Sequence, residues 1–198
     1  LGSFYTIPAG HRGVLLTFGK PTMEVQGEGL HFKLPLIQKI IKMDVRTQKY
    51  EAALTAASQD LQDVNTKIAI NYHIQPETAA TIYQGIGLDY SEKVVYPLEQ
   101  EANKAITAQY SASDLITKRE EVREKMKNNL MEKLRPRGII VEEVSIINFA
   151  FSESFSQAIE QKVTSNQLMQ KAEMDLQRIK IEAEQKIASA QAEAESLR

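Results

Sequence analysis

Apolar and polar positions along this chain change period twice. Up to about residue 75 the period is two. Val14, Leu16 and Phe18 alternate with Leu15 and Thr17, and Leu30, Phe32 and Leu34 alternate with His31 and Lys33. The longest run puts Val64, Thr66, Ile68, Ile70, Tyr72 and Ile74 on one face, and Asn65, Lys67, Asn71 and His73 on the other. Such alternation predicts strands of a sheet with one buried and one wet face. Gly19-Lys20-Pro21, Gly27-Glu28-Gly29 and Pro35 supply the turns between them.

Between residues 76 and 135 the period becomes helical. A short helix is predicted over Glu77–Gln84, stopped by Gly85 and Gly87. A second is predicted over Ser91–Gln109, with Val94, Leu98, Ala102 and Ile106 buried and Pro97 either kinking it or marking a late start. Ser111 with Asp114, and Thr117 with Glu120, have the spacing of N-caps whose third residue bonds back. Thr117 is thus expected to open an amphipathic helix with Val122, Met126, Leu130 and Leu134 inside and a Glu121–Lys125 pair outside. Pro136 and Gly138 end it. A last strand is predicted over Ile139–Phe149, where Glu142-Glu143 signals a bulge or an exposed edge.

From Ser152 onward there is neither Gly nor Pro. Read as one helix, these ~46 residues make a rod of roughly 70 Å. Along it runs a seam of Met169, Ala172, Leu176, Ile179, Ala183, Ile187, Ala190, Ala194 and Leu197. The spacing is that of heptads, with one stutter between Ile179 and Ile187 that straightens or reverses a supercoil. The Ala-rich seam buries little area per turn in one helix pair, so it favours many helices side by side, each gaining on both flanks. The alternative is a solvated single helix held by Ala and i,i+4 ion pairs; Leu176, Ile179 and Ile187 weigh against it.

Charge and composition narrow the function classes. A formal net charge of −2 with no basic cluster argues against a nucleic-acid partner. No cysteine is present, which removes disulfide and thiol chemistry. His11, His31 and His73 are scattered on or beside strands without metal-ligand spacing. Segment Gly27–Pro35 lacks the pattern of a phosphate loop, and neither a P-loop nor a nucleophile elbow occurs. Glu120-Glu121 and Glu142-Glu143 are sequence neighbours that diverge on a helix or strand, so neither is an acid/base pair. No catalytic, cofactor or metal residue is therefore assigned, and the mixed-charge run Lys118–Lys127 reads as a solvated helix face. No window reaches the ~20 apolar residues of a membrane span. The chain opens on Leu1 and closes on Arg198 in mid-helix, which reads as a fragment.

Six segments, in order, resemble one family. They are GHRGVLLTFGKP (Gly10–Pro21), GEGLHFKLPLIQKI (Gly27–Ile40), MDVRTQKY (Met43–Tyr50), LITKREEVR (Leu115–Arg123), RGIIVEEVSIINFAF (Arg137–Phe151) and FSQAIEQKV (Phe155–Val163). Together they are similar to the prohibitin branch of the stomatin/prohibitin/flotillin, or band 7, family. The resemblance implies an α+β fold: the tail of an upstream anchor (1–4), a β-rich band 7 domain with packed helices (5–151), and the start of a coiled coil (152–198). It implies a single-pass anchor before residue 1, with Leu1, Gly2, Ser3 and Phe4 next to the membrane. It also implies self-assembly into large rings or cages that confine a membrane patch and restrain a membrane-bound AAA protease, with no cofactor and no catalysis. Lys33, Lys67 and His73, with Glu142 and Glu143 on another strand, are candidate subunit contacts. The segments GIGLDY and YSASDLITKREEV have a prokaryotic flavour, which places the protein in a prokaryotic cell membrane, or in the mitochondrial inner membrane of a eukaryote. A soluble coiled-coil protein, an enzyme on a helical stalk and an adaptor that forms no ring remain as alternatives.

Overall fold

The computed structural model describes residues 3–196, with side chains through Ile187. It divides into one compact unit up to Phe151 and a second from Ser152. The fold is mixed, with strands and short helices in the first unit and one long helix in the second.

Three antiparallel sheets build the first unit. β1 (Phe4–Ile7) pairs with β4 (Gly29–Phe32) as an isolated two-stranded ribbon. β2 (His11–Thr17) is flanked by β3 (Lys20–Gln26) and β5 (Gln38–Asp44). The third sheet has the order β6 (Gln48–Ala57), β7 (Asp63–Ile74), β8 (Ile139–Phe151). Here the period-two reading holds: Val64, Thr66, Ile68, Ile70, Tyr72 and Ile74 are all buried, whereas Asn65 and Lys67 are exposed. β8 passes through two register shifts against β7, one of them between Asn71 and Tyr72 opposite the Glu142-Glu143 pair. The paired acids thus sit at a bulge, and on an edge strand as well.

Helices cover the buried face of this third sheet. α1 (Ala79–Gly85), which follows a 3-10 turn at Pro76–Thr78, packs against β2 and β3 instead. α2 is later and shorter than its apolar pattern predicts: a π turn spans Ser91–Val95, and the α-helix runs Tyr96–Thr107. Pro97, with no N–H to give, sits in its first turn. Ala102 and Ile106 are buried as predicted and Asn103 joins them, but in the first turns the inward positions are Val95 and Glu99, one residue on from Val94 and Leu98, which pack at the margin. Ser111 caps α3 (Ala112–Thr117), its Oγ accepting from the Asp114 N–H at 3.1 Å. The second predicted cap does not form. The Thr117 hydroxyl donates to the Ser113 carbonyl at 3.1 Å, and α4 (Arg119–Leu134) starts after Lys118 without a side-chain cap. Its stripe of Val122, Met126, Leu130 and Leu134 is fully buried, as the spacing requires. Arg135–Arg137 then tightens into a 3-10 turn, and Gly138 at φ 78 turns the chain into β8.

The smaller sheets depart from the alternation rule. Leu30, Phe32 and Leu34 are 68%, 57% and 48% exposed rather than buried: in the β1–β4 ribbon Leu30 and Phe32 share the open face with Phe4, while the opposite face, with buried Ile7, packs towards Gly13 of β2 and Ile40 of β5. Phe18 leaves the face of Val14 and Leu16. It sits at φ 51 beside Gly19 at φ 81, in the two-residue turn closed by Thr17 and Lys20.

Candidate functional site

In the first unit, large apolar side chains are spent on positions that strain the backbone. Phe18, Leu36 and Leu61 are the non-glycine residues with positive φ among those described, and they are 82%, 94% and 85% exposed. A left-handed conformation is costly for bulky residues and is kept where the surroundings impose it. Phe18 and Leu36 lie at one end of the molecule's smaller sheets. The Phe18 N–H donates to the Ile37 carbonyl at 2.9 Å, and the Lys33 N–H donates to the Ser3 carbonyl at 2.7 Å. These two bonds tie the β2–β3 turn, the Leu34–Ile37 turn and the start of β1 together. Phe4, paired with Phe32 and in edge contact with its ring at 5.6 Å, extends the same apolar tip. Leu1 and Gly2 fall outside the described residues, so of the expected membrane-proximal set the structure places Ser3 and Phe4.

The candidate subunit contacts are only partly brought together. His73 Nδ1 and Glu142 Oε1 are 2.6 Å apart, and Thr47 donates to the same oxygen at 2.9 Å. Glu143 lies in another environment, bridging Arg123 at 2.9 Å and Lys127 at 3.2 Å on α4. These cations hold its carboxyl below the usual range, the Lys127 hydrogen bond first. Lys67 pairs with Glu51 at 2.6 Å, and Lys49 joins the same carboxylate at 2.9 Å. Together they lower the Glu51 pKa to about 2. Lys33 follows β4, in a different sheet from the rest.

Glu99 escaped the sequence reading. It is fully buried on α2, and neither carboxyl oxygen has a hydrogen-bond partner; nor do Thr66 Oγ1 and Asn103 Nδ2. Desolvation pushes its pKa up to about 8. The i,i+4 spacing of Glu99 and Asn103 was the available signal, masked by the apolar pattern beside it. No group of carboxylates and histidines with metal-binding geometry occurs among the described residues. A cavity of about 160 Å³ beside α4 is lined by Gln75, Met131, Arg135, Ile140 and Val141, without a nucleophile.

In the second unit, α5 (Glu153–Ser196) is one uninterrupted helix. Its seam residues Met169, Leu176, Ile179 and Ile187 are 55–63% exposed, and Ala172 and Ala183 are exposed too. The side chains of Ala190, Ala194 and Leu197 lie outside the described residues. A second set escaped the sequence reading: Val163, Met174 and Ile181, each about half exposed or more. At 100° per residue they fall about 140–160° around the helix from Leu176, on the opposite side from the seam. The helix therefore carries two narrow apolar stripes. No described helix is long and apolar enough to cross a membrane.

Comparison with known proteins gives a consistent answer. The model of the SPFH domain / Band 7 family matches residues 5–194. Prohibitin-1 of Saccharomyces cerevisiae is 34% identical over 195 residues, covering 98% of this chain and 68% of the relative. Prohibitin-2 of Mus musculus is 32% identical over 196 residues, covering 98% and 66%. The mitochondrial prohibitin complex protein 1 of Caenorhabditis elegans is 34% identical over 171 residues, covering 86% and 62%. This chain thus spans about two thirds of the length of these relatives, which are eukaryotic and lend the prokaryotic reading no support. With the match extending through both structural units, the chain belongs to the SPFH domain / Band 7 family.

Proposed function

We propose that this chain is the membrane-proximal part of a non-catalytic scaffold that assembles with copies of itself on a membrane. The observation that carries the reading is the pair of opposed apolar stripes on α5. One stripe serves a helix pair; two on opposite sides serve a helix with a neighbour on each flank, as in a wall. Leaving Leu176, Ile179, Ile181 and Ile187 in water forfeits about 25 cal/mol for each Å² of apolar surface that a neighbour would cover.

The apolar tip of Phe4, Phe18, Phe32, Leu34 and Leu36 supports the membrane half of the proposal. An exposed apolar patch of this kind marks an interaction surface, and it lies where the chain leads back to the anchor expected before Leu1. The finer reading follows from both: subunits close into rings or cages, the helices stand as a palisade, and the enclosed patch keeps large proteins, such as a membrane AAA protease, in or out. Function is then confinement by geometry. Electron microscopy of the full-length protein, gently extracted from membranes, tests it. Rings or cages are expected, and Ile179→Glu with Ile187→Glu should dismantle them. Small particles without symmetry from the unaltered protein would overturn the enclosure and favour an adaptor.

A further inference from the structure

Of the exposed apolar side chains held on left-handed backbone, Phe18 and Leu36 belong to the apolar tip. Leu61 does not. It lies in the β6–β7 turn, at φ 57 and 85% exposed. Gly or Asn would take that conformation at less cost. The turn around it is tightly held. Ser58 Oγ donates to Asp60 at 2.6 Å and accepts from the Gln62 N–H at 3.0 Å, and the Leu61 N–H donates to the Ser58 carbonyl at 3.0 Å. Asp60 also accepts from the Ala112 N–H at 2.9 Å, which fixes the turn to the start of α3. A rigid turn thus presents one leucine to solvent.

A matching hollow lies at the far end of the same strand. β7 runs from Asp63 to Ile74, so its ends are roughly 40 Å apart at ~3.4 Å per residue. There the cavity of about 160 Å³ opens to the surface between Gln75, Met131, Arg135, Ile140 and Val141. Apolar cavities of about 150 Å³ accept a guest the size of benzene, and a leucine side chain is smaller. The two ends also differ in charge. Residues 57–66 carry Asp60 and Asp63 and no cation. Residues 131–140 carry Lys133, Arg135 and Arg137 against Glu132, a net charge of +2 that Glu77 in the adjoining turn does not cancel. Asp63 and Arg135 are both exposed, and neither has an ion pair among the described residues.

We infer that the Leu61 turn of one copy seats in the Met131–Ile140 cavity of the next, bringing the acidic end of one sheet against the basic end of its neighbour. This rests on the self-assembly reading above and adds which surfaces meet. Because knob and hollow lie at opposite ends of β7, the contact is head-to-tail. Such a contact repeats from copy to copy and can close into a ring, whereas a two-fold contact stops at a dimer.

The test uses the full-length protein in a cysteine-free background, carrying Gln59→Cys with Glu132→Cys, two exposed positions beside the turn and the cavity. A short bis-maleimide should give a ladder of dimer, trimer and higher species on a denaturing gel, while each single variant stays monomeric there. Leu61→Asn suits a positive φ, so adding it should leave the unfolding curve of the domain unchanged or improved. It should nevertheless slow the laddering at least ~10-fold, since a side chain that fills a pocket carries much of an interface's affinity. A ladder that forms as fast with Leu61→Asn overturns the knob. A dimer from Gln59→Cys alone shows a symmetric contact and overturns the head-to-tail docking. No ladder from particles that still sediment as large assemblies overturns the docking and leaves the scaffold standing; no ladder from protein that sediments as a monomer overturns both.

Discussion

Glu99 shows how one residue sets a condition on the whole fold. Its carboxyl titrates near 4.5 in the unfolded chain and near 8 when buried. Between those values the folded state holds a proton that the unfolded state releases, so stability falls as pH rises from about 4.5 to about 8. At 1.36 kcal/mol per unit the total reaches on the order of 5 kcal/mol. Glu99→Gln should flatten this slope and raise the melting temperature at pH 8; superimposable pH–stability curves for the two proteins would refute the assignment. Asp44 acts at the other end of the scale. The Arg46 hydrogen bond holds its pKa at about 2, so its contribution is present above pH 3.8 and fades as pH falls towards 2. Gly138 is a further single-residue constraint, since a Cβ there would strike the Thr78 side chain at a φ of 78. Gly138→Ala should cost about 1–2 kcal/mol or more in urea unfolding. Gly138 was legible as a helix stop, but its clash with Thr78, the burial of Glu99 and the Asp44–Arg46 pairing were not, because each depends on what the fold places beside it.

Whole elements were more legible than their ends. The stripe Val122–Met126–Leu130–Leu134 and the alternation in β7 were readable because a two-layer core imposes one period on each element. The Thr117 cap was misread because its hydroxyl had a nearer acceptor in the preceding turn of α3. The first turns of α2 were misread because a π turn shifted their phase, whereas Ala102 and Ile106 lie inside as read. The second stripe of α5 was hidden because three residues spread over nineteen positions make a weak periodic signal. Substitutions should separate the elements by role. Leu130→Ala, in a fully buried position, should destabilise the domain by about 2–5 kcal/mol in chemical unfolding. Ile181→Glu should leave domain stability within about 0.5 kcal/mol, because Ile181 lies on an exposed surface, yet reduce particle size in sedimentation. A domain destabilised by Ile181→Glu would show that this residue packs within its own subunit.

At the scale of the molecule, the proposed function assigns membrane attachment to the apolar tip and assembly to the long helix. The tip residues were legible as apolar, but their exposure was not. Alternation announces two unlike faces, and only the packing of the Ile7 face of the β1–β4 ribbon against Gly13 of β2 tells that the Phe4, Leu30 and Phe32 face is the open one. Phe18→Ser with Leu36→Ser should weaken flotation of the protein with liposomes while leaving the unfolding curve nearly unchanged, since both side chains lie outside the core. Unaltered flotation would assign membrane attachment to other segments.

The openness of α5 also bears on turnover. Lys162, Lys171, Arg178 and Lys180 are solvent-exposed along it. A subunit without neighbours offers each as a cleavage point for a trypsin-like protease, whereas packed helices cannot bend into an active-site cleft. Orphan subunits are therefore expected to be the short-lived form. Cellular abundance would then follow assembly rather than synthesis, and the helix proposed to build the wall would also mark the chains that fail to join it.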